Sequence, residues 1–312
     1  MKPRIGVLTS GGDCPGLNAV LRGVVLAAEK LGWEVVGFRD GFEGLLPPGN
    51  HVILDRKSID GIMALGGTII GTTNRGHFVA KTGDGDRTVV PAHVIEDAKR
   101  ILGELQVKAL IIVAGDGSLV TAQQLQEAGI NCIGVPKTID NDLEATATTF
   151  GFDSAVDVVV DGLDRLNTTA TSHRRVMVVE VMGRHAGWIA LHGGVGGGAD
   201  IILIPEIPFD YDKIAGVIEA RESAGCLGTV VVVAEGARPK HGEQVKRDVE
   251  AGEFRLGGIG DIVARNCEAY GKRDALLRAR PFAARWRADD IGSNSCYAVW
   301  SQGGAIGKRR AL

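Results

Sequence analysis

The stretch "PKTIDND" sets a primary ammonium and two carboxylates close together: Lys137, Asp140 and Asp142, with Thr138 beside the lysine and Asn141 between the acids. It follows the apolar run "NCIGV", so it reads as a loop at the end of a strand. Carboxylates this dense repel one another unless cations or a proton-transfer role balance them. One carboxylate accepting a hydroxyl proton, beside cations that steady a moving phosphoryl group, would use this set of residues. A turn rich in Asp and Asn would use the same residues without any chemistry.

Three glycine-flanked loops carry groups of related type. "TSGGDCPG", with Gly11 in its bend, joins an apolar run to a helical pattern, where backbone N–H groups can face an anion. "AGDGS" repeats that arrangement and adds Asp116, Gly117 and Ser118. Asp116 could hold Mg²⁺, which is usually bound by one or two carboxylates plus phosphate oxygens, or it could cap a helix. "GGTIIGTTNRG" ends in Arg75, a bidentate phosphate donor or a solvated surface group. Further along, "SHRRVMVVEVMGRHAGW" supplies Arg174, Arg175 and Arg184, and "VVVAEGAR" places Glu235 at another strand end. His173 and His185 stand too far apart for a metal pair, and hydrogen-bonded histidines account for them.

These positions need a scaffold that delivers strand ends to one rim. Strand-like runs "RIGVLTS", "EVVGF", "ALIIVAG" and "NCIGVP" alternate with helical patterns near Leu17–Leu31, "IEDAKRILGEL" and "LVTAQQLQEAG". A second cycle follows: helix near Val156–Leu166, "RVMVVEV", "GWIALHGG", "ADIILIP", helix near Ile214–Ser223 and "GTVVVVAEG". The alternation predicts an α/β class with two doubly wound domains and mostly parallel sheets, dividing near residue 150. At roughly 150 residues per domain, the 312-residue length agrees. A net charge of −3 gives no electrostatic case for nucleic acid or an anionic membrane. No apolar run reaches the roughly 20 residues of a membrane span, and "MKPRIGVLTSGGD" enters a strand at once rather than a signal peptide. Five cysteines without CxxC spacing fit a reducing cytoplasm.

Taken together, "LTSGGDCPGLNAVLRGVV", "GGTIIGTTNRG", "GDGS", "PKTIDND", "GFDSA", "SHRR", "VEVMGRHAGW" and "VAEGAR" resemble the 6-phosphofructokinase family, in that family's order from residue 4 to about 272. The resemblance implies phosphoryl transfer in glycolysis from Mg²⁺-bound ATP to the 1-hydroxyl of fructose 6-phosphate. By it, Asp140 matches the general base, with Thr138 and Asp142 in the substrate loop. Gly11, Arg75, Gly117 and Ser118 match donor-phosphate contacts and Asp116 the Mg²⁺ carboxylate. Met182, Gly183, Arg184 and Glu235 match sugar-phosphate contacts, and Arg175 an arginine reaching a neighbouring subunit's site. A homotetramer or homodimer is implied, with residues 1–150 binding the donor and 151–272 the sugar phosphate. Relatives that use pyrophosphate typically carry aspartate at the position of Gly117 and lysine at that of Lys137. Glycine leaves room for a nucleotide's α-phosphate, so ATP is the expected donor and pyrophosphate the alternative. Leu26 and Asn167 stand where allosteric relatives carry effector-pocket arginines, which puts effector control in doubt.

After Tyr270 the pattern breaks. Residues 273–312 crowd arginines and two tryptophans with no clean period, where the family continues with a segment such as "ETR…LGHxQRGG". Read one nucleotide later from Arg273, the codons these residues permit can spell "ETRCSVLGHLQRGGAPTTSDRILATRY". The invariant tryptophan codons force glycine at Trp286–Arg287 and Trp300–Ser301. A frame change near codon 273, in the gene or in its sequencing or cloning, accounts for the match. Loss of two cations and a histidine at about 1.5–3 kcal/mol per charge-assisted bond would leave this chain weakly active, or a nucleotide-binding remnant. The tail is expected to pack poorly.

Overall fold

Buried central strands of a parallel sheet must be apolar on both faces, so they read as unbroken hydrophobic runs rather than alternating ones. That rule organises the computed structural model, which describes residues 2–73, 76–78, 89–144, 146–249 and 253–269. The chain separates into two compact units, Met1–Phe152 and Asp153–Leu312.

The first unit runs β1 (Arg4–Ser10), α1 (Leu17–Lys30), β2 (Glu34–Phe38), β3 (His51–Leu54), α2 (Ala92–Glu104), β4 (Val107–Ala114), α3 (Asp116–Glu127), β5 (Cys132–Thr138) and β6 (Phe150–Gly151). Its six-stranded sheet has the order β3-β2-β1-β4-β5-β6. Only β3 runs antiparallel to its neighbour. Successive side chains of a strand point to opposite faces, so β1 sends Leu8 to one core and Val7 to the other. Leu8 packs in a cluster with Phe38, Leu110, Ile112 and the α2 and α3 residues Ala98, Leu102 and Leu125. Val7 shares the second cluster with Val35, Val113 and the α1 residues Leu17, Leu21 and Val25. Helices thus cover both faces. Strand order reverses between β1 and β4, and in open α/β sheets ligands bind at the carboxyl ends of strands flanking that point.

The second unit contains α4 (Phe152–His173, beginning at the boundary), β7 (Val176–Val181), α5 (Trp188–Gly196), β8 (Ile201–Leu203), α6 (Tyr211–Ser223), β9 (Thr229–Ala234), the hairpin β10 (Lys246–Val249) and β11 (Glu253–Leu256), and α7 (Ile259–Ala269). Its main sheet, β7-β9-β8, is wholly parallel. Val176, Val178, Val231 and Val233 form a core with Ile214 and Ile218 of α6 and Ile259 and Val263 of α7. Glu180, on β7, is buried, and its carboxylate accepts the N–H groups of Gly258 (2.9 and 3.0 Å) and Gly260 (2.8 Å). Negative charge at a helix N-terminus is favourable, so Glu180 pins the start of α7 to the sheet.

The α/β class with mostly parallel sheets is as the sequence predicts. Several boundaries differ. The "AGDGS" turn is not a turn throughout: Asp116, Gly117 and Ser118 already form the first turn of α3, with extended Gly115 as its N-cap. The helix expected near Val156–Leu166 is twice that length, and α7, β3, β6 and the β10–β11 hairpin lie beyond the sequence reading. The tail expectation for residues 273–312 lies outside the described residues. Among the described residues no helix is long and apolar enough to cross a membrane.

Candidate active site

At the carboxyl rim of the first sheet, β1 ends in Ser10 and β4 in Ala114, two residues in register. The Ser10 and Ser118 hydroxyls lie 2.9 Å apart, which ties the first turn of α3 to the loop after β1. Gly11 adopts φ 87, a left-handed conformation that favours glycine. A Cβ placed there would stand 3.5 Å from Lys137 Nζ and 3.7 Å from Ser118 Oγ, so Gly11, Ser118 and Lys137 border one small space. Gly11 is anchored in turn: its N–H donates to the Thr73 carbonyl (3.1 Å), and its carbonyl accepts from the Thr72 hydroxyl (2.7 Å).

Lys137 is the buried centre of this rim, 5 % exposed. Its ammonium nitrogen donates to the Gly12 carbonyl at 2.5 Å. Burial holds its pKa below the ordinary lysine value, while Cys14, Asp13 and Asp140 pull it back upward. Cys14 is driven the other way, up to about 12, chiefly by burial. Its thiol donates to the carbonyls of Pro15 (3.3 Å) and Phe150 (3.4 Å), an arrangement that suits a protonated, unreactive sulfur.

Two residues past β5, Asp140 is 8 % exposed, and its N–H donates to the Thr138 hydroxyl at 3.2 Å. Asn141 explains how the next carboxylate diverges from it. This residue has φ 52, a left-handed conformation that Asn tolerates better than most side chains. Its Oδ1 accepts from the Thr149 N–H at 3.0 Å, and its amide nitrogen donates to the Ala147 carbonyl at 3.4 Å. Thr149 also donates its hydroxyl to the Thr138 carbonyl at 2.6 Å. The bend leaves Asp140 buried and Asp142 exposed.

In the second unit, the turn after β7 carries Met182, Gly183 and Arg184. Arg184 has φ 51, and its N–H donates to Glu235 Oε1 at 3.0 Å. Glu235 is 6 % exposed, and its own N–H donates to the Val181 carbonyl at 2.8 Å. A Cβ on Gly236 would collide with the Arg184 carbonyl oxygen. The pair Glu235–Gly236 therefore holds the arginine turn against the end of β9.

The predicted residues thus fall into groups. Gly11, Ser118, Lys137, Thr138 and Asp140 belong to the first rim. Asp116 and Gly117 open α3 on that same edge, with Asp116 exposed. Met182, Gly183, Arg184 and Glu235 cluster at the carboxyl edge of the second sheet. Arg175 does not join them, because it precedes β7 and sits at the opposite, amino end of that strand. Arg75 lies outside the described residues. Among those described, no group of three or more His, Cys, Asp or Glu side chains could hold a metal. A Mg²⁺ carried by substrate phosphates still fits, since it needs only one or two protein carboxylates and Asp116 is an exposed one at the rim.

Sequence reading gave Asn141 only a place in an Asp- and Asn-rich turn and passed over Thr9 and Asn18. Buried Asn18 donates to the Leu65 (3.1 Å) and Gly66 (3.3 Å) carbonyls and accepts from the Ile69 N–H (2.9 Å), while the Thr9 hydroxyl donates to the Gly71 carbonyl (2.8 Å). Together they stitch the "GGTIIGTT" loop to β1 and α1. A polar residue inside an apolar helical face, as Asn18 is, was the available signal.

Comparison with known proteins was made on sequence and on fold. A family model described as Phosphofructokinase matches residues 4–271. A Chloroflexus aggregans protein named ATP-dependent 6-phosphofructokinase is 50 % identical over 276 residues, 88 % of this chain and 76 % of its own length. A Streptomyces coelicolor protein named pyrophosphate–fructose 6-phosphate 1-phosphotransferase is 47 % identical over 270 residues, 85 % of this chain and 75 % of its own. The structure of phosphofructokinase from Saccharomyces cerevisiae superposes with a TM-score of 0.73 at 30 % identity, covering 87 % of this chain and 37 % of that longer one. By the match over residues 4–271 and by identity to these relatives, the chain belongs to the phosphofructokinase family.

Proposed function

We propose that the chain phosphorylates the 1-hydroxyl of fructose 6-phosphate with ATP. The observation that carries this reading is the buried rim where Lys137, Gly11 and Ser118 share one space and Lys137 is electrostatically coupled to Asp140. Asp140 takes the hydroxyl proton, and Thr138 and Asp142 hold the sugar beside it. The backbone of Gly11, the first turn of α3 at Gly117–Ser118, and Arg75 receive donor phosphates. Lys137, fixed on the Gly12 carbonyl, keeps that loop in place. Asp116 would hold Mg²⁺, which supplies charge neutralisation to the phosphates when bound. Met182, Gly183, Arg184 and Glu235 bind the sugar phosphate. Arg175, at the far end of β7, serves a neighbouring protomer of a homotetramer or homodimer. The first unit is then the donor half and the second the sugar half.

Pyrophosphate is the second reading. It is favoured by Lys137 itself, a cation buried against the donor loop, and by the name of the Streptomyces coelicolor relative. Gly117 favours ATP, because a side-chain carboxylate there would meet the α-phosphate. Coupled assays with each donor decide: bisphosphate formed with ATP and not with pyrophosphate supports the first reading, and the reverse result replaces it.

The family match ends at residue 271, beside the break in pattern after Tyr270. This agrees with a frame change near codon 273. A nucleotide sequence unable to encode "LGHxQRGG" in the next frame refutes it. With that segment replaced, turnover by the chain as written is expected to be weak.

A further inference from the structure

The carboxyl edge of the second sheet carries a cavity of about 520 Å³, lined by His185, Glu206, Arg238, Glu243, Gln244 and Lys246 beside Pro205. None of these residues has a role in the reaction described above. His185 directly follows Arg184, Glu206 lies beyond β8, and the other four follow β9, so the cavity spans the ends of all three parallel strands. This is where an open α/β sheet offers a ligand site, and the volume falls in the roughly 300–1,000 Å³ range of small-ligand pockets.

The charges are unevenly spent. Glu206 accepts the Gly187 N–H at 2.8 Å, at the N-cap of α5, so the helix N-terminus already offsets its charge. Gln244 is held by its amide nitrogen on the Gly236 carbonyl at 2.9 Å, directly behind the Arg184 turn. No ion pair among the described residues engages Arg238, Lys246 or His185. Arg238 and Lys246 are both exposed. Two unpaired cations suit a phosphate; one remaining carboxylate, Glu243, and an oriented amide suit hydroxyl groups.

We infer that this cavity binds the phosphate-bearing end of a phosphorylated polyol, with Arg238 and Lys246 on the phosphate and Glu243 and Gln244 on hydroxyls. The inference rests on the sugar-phosphate reading of the same sheet edge and extends it to residues outside the family motifs.

The test is a phosphorus NMR titration of the full chain with fructose 6-phosphate, with free fructose followed in parallel by proton NMR. Arg238→Ala and Lys246→Ala should each raise Kd about tenfold or more, and Arg238→Lys should recover part of the loss. Free fructose should bind far more weakly than the phosphate ester. Both side chains are exposed, so truncation leaves the core intact; melting curves and the milder Arg238→Gln variant guard against misfolding. Unchanged Kd values in these variants, or no binding by the parent chain, overturn the inference. A coupled assay separates it from the kinase reading. Arg238-dependent binding with no transfer from ATP or pyrophosphate leaves the inference standing and removes the reading. Transfer with Arg238-independent binding does the opposite.

Discussion

Asp140, Asn141 and Lys137 show how single side chains set the chemistry of a short loop. Asp140 has a carboxylate close enough to Lys137 to raise the lysine's pKa, and Asn141 turns the backbone so that Asp142 does not crowd it. Asp140→Asn should lower kcat roughly 10²–10⁴-fold, the usual contribution of a positioned base, with the KM for ATP little changed in steady-state assays. The buried pair Cys14 and Lys137 gives opposite pH signatures. Cys14 has its folded pKa raised from 9.0 to about 12, so its contribution to stability is full below pH 9 and fades as pH climbs toward 12. Lys137 has its folded pKa lowered from 10.5. Between its folded value and 10.5 the unfolded chain binds more protons, so this group makes stability rise with pH in that window. Urea melts across alkaline pH should lose the rise in Lys137→Met and the fall in Cys14→Ala. Mass spectrometry after brief native alkylation at pH 8 should find exposed Cys226 modified and Cys14 untouched, and rapid modification of Cys14 would contradict its buried, protonated state.

At the scale of elements, the strand ends matter more than the strands. The β7–α5 turn depends on Glu235, the first residue past β9, and α7 depends on Glu180 from β7. Glu180→Ala leaves the Gly258 and Gly260 N–H groups without their acceptor; at about 1.5–3 kcal/mol for hydrogen bonds to a charged group, a loss of about 2 kcal/mol in urea unfolding is expected. Gly236→Ala forces the Arg184 turn to shift, and it should raise the KM for fructose 6-phosphate while the KM for the donor holds. Strands such as "RIGVLTS" and "GTVVVVAEG" were legible because burial on both faces makes their central runs continuously apolar. The first turn of α3 was not, because Gly117 and Ser118 have turn-like propensities that the fixed end of β4 overrides. Helix α7 escaped because its N-terminus is fixed by a carboxylate some 80 residues earlier in sequence, a partner no local pattern carries. The residue motifs of the site were legible, since loop glycines and clustered acids are costly without a role. The stitching by Asn18, Thr9 and Thr149 was hidden, as it depends on contacts that only the folded chain creates.

For the whole molecule, the proposed reading assigns the donor loops to the first unit and the arginine turn to the second. Donor choice belongs to this scale, because it depends on space for an entire nucleotide rather than on one contact. Gly117→Asp should shift the ratio of ATP to pyrophosphate turnover by tenfold or more toward pyrophosphate, about 1.4 kcal/mol in relative barrier. The segment after residue 272 belongs here as well. If the next frame does encode the segment that the family resemblance implies, a chain carrying its histidine and arginines should bind fructose 6-phosphate more tightly than the 312-residue chain. The most direct test is the rate of fructose 1,6-bisphosphate formation from ATP by the chain as written, its frame-restored form, and the restored form carrying Asp140→Asn. The account predicts slow turnover by the first, ready turnover by the second, and near abolition in the third. Equal rates with and without the Asp140 carboxylate, or no bisphosphate from the restored chain with either donor, would contradict it.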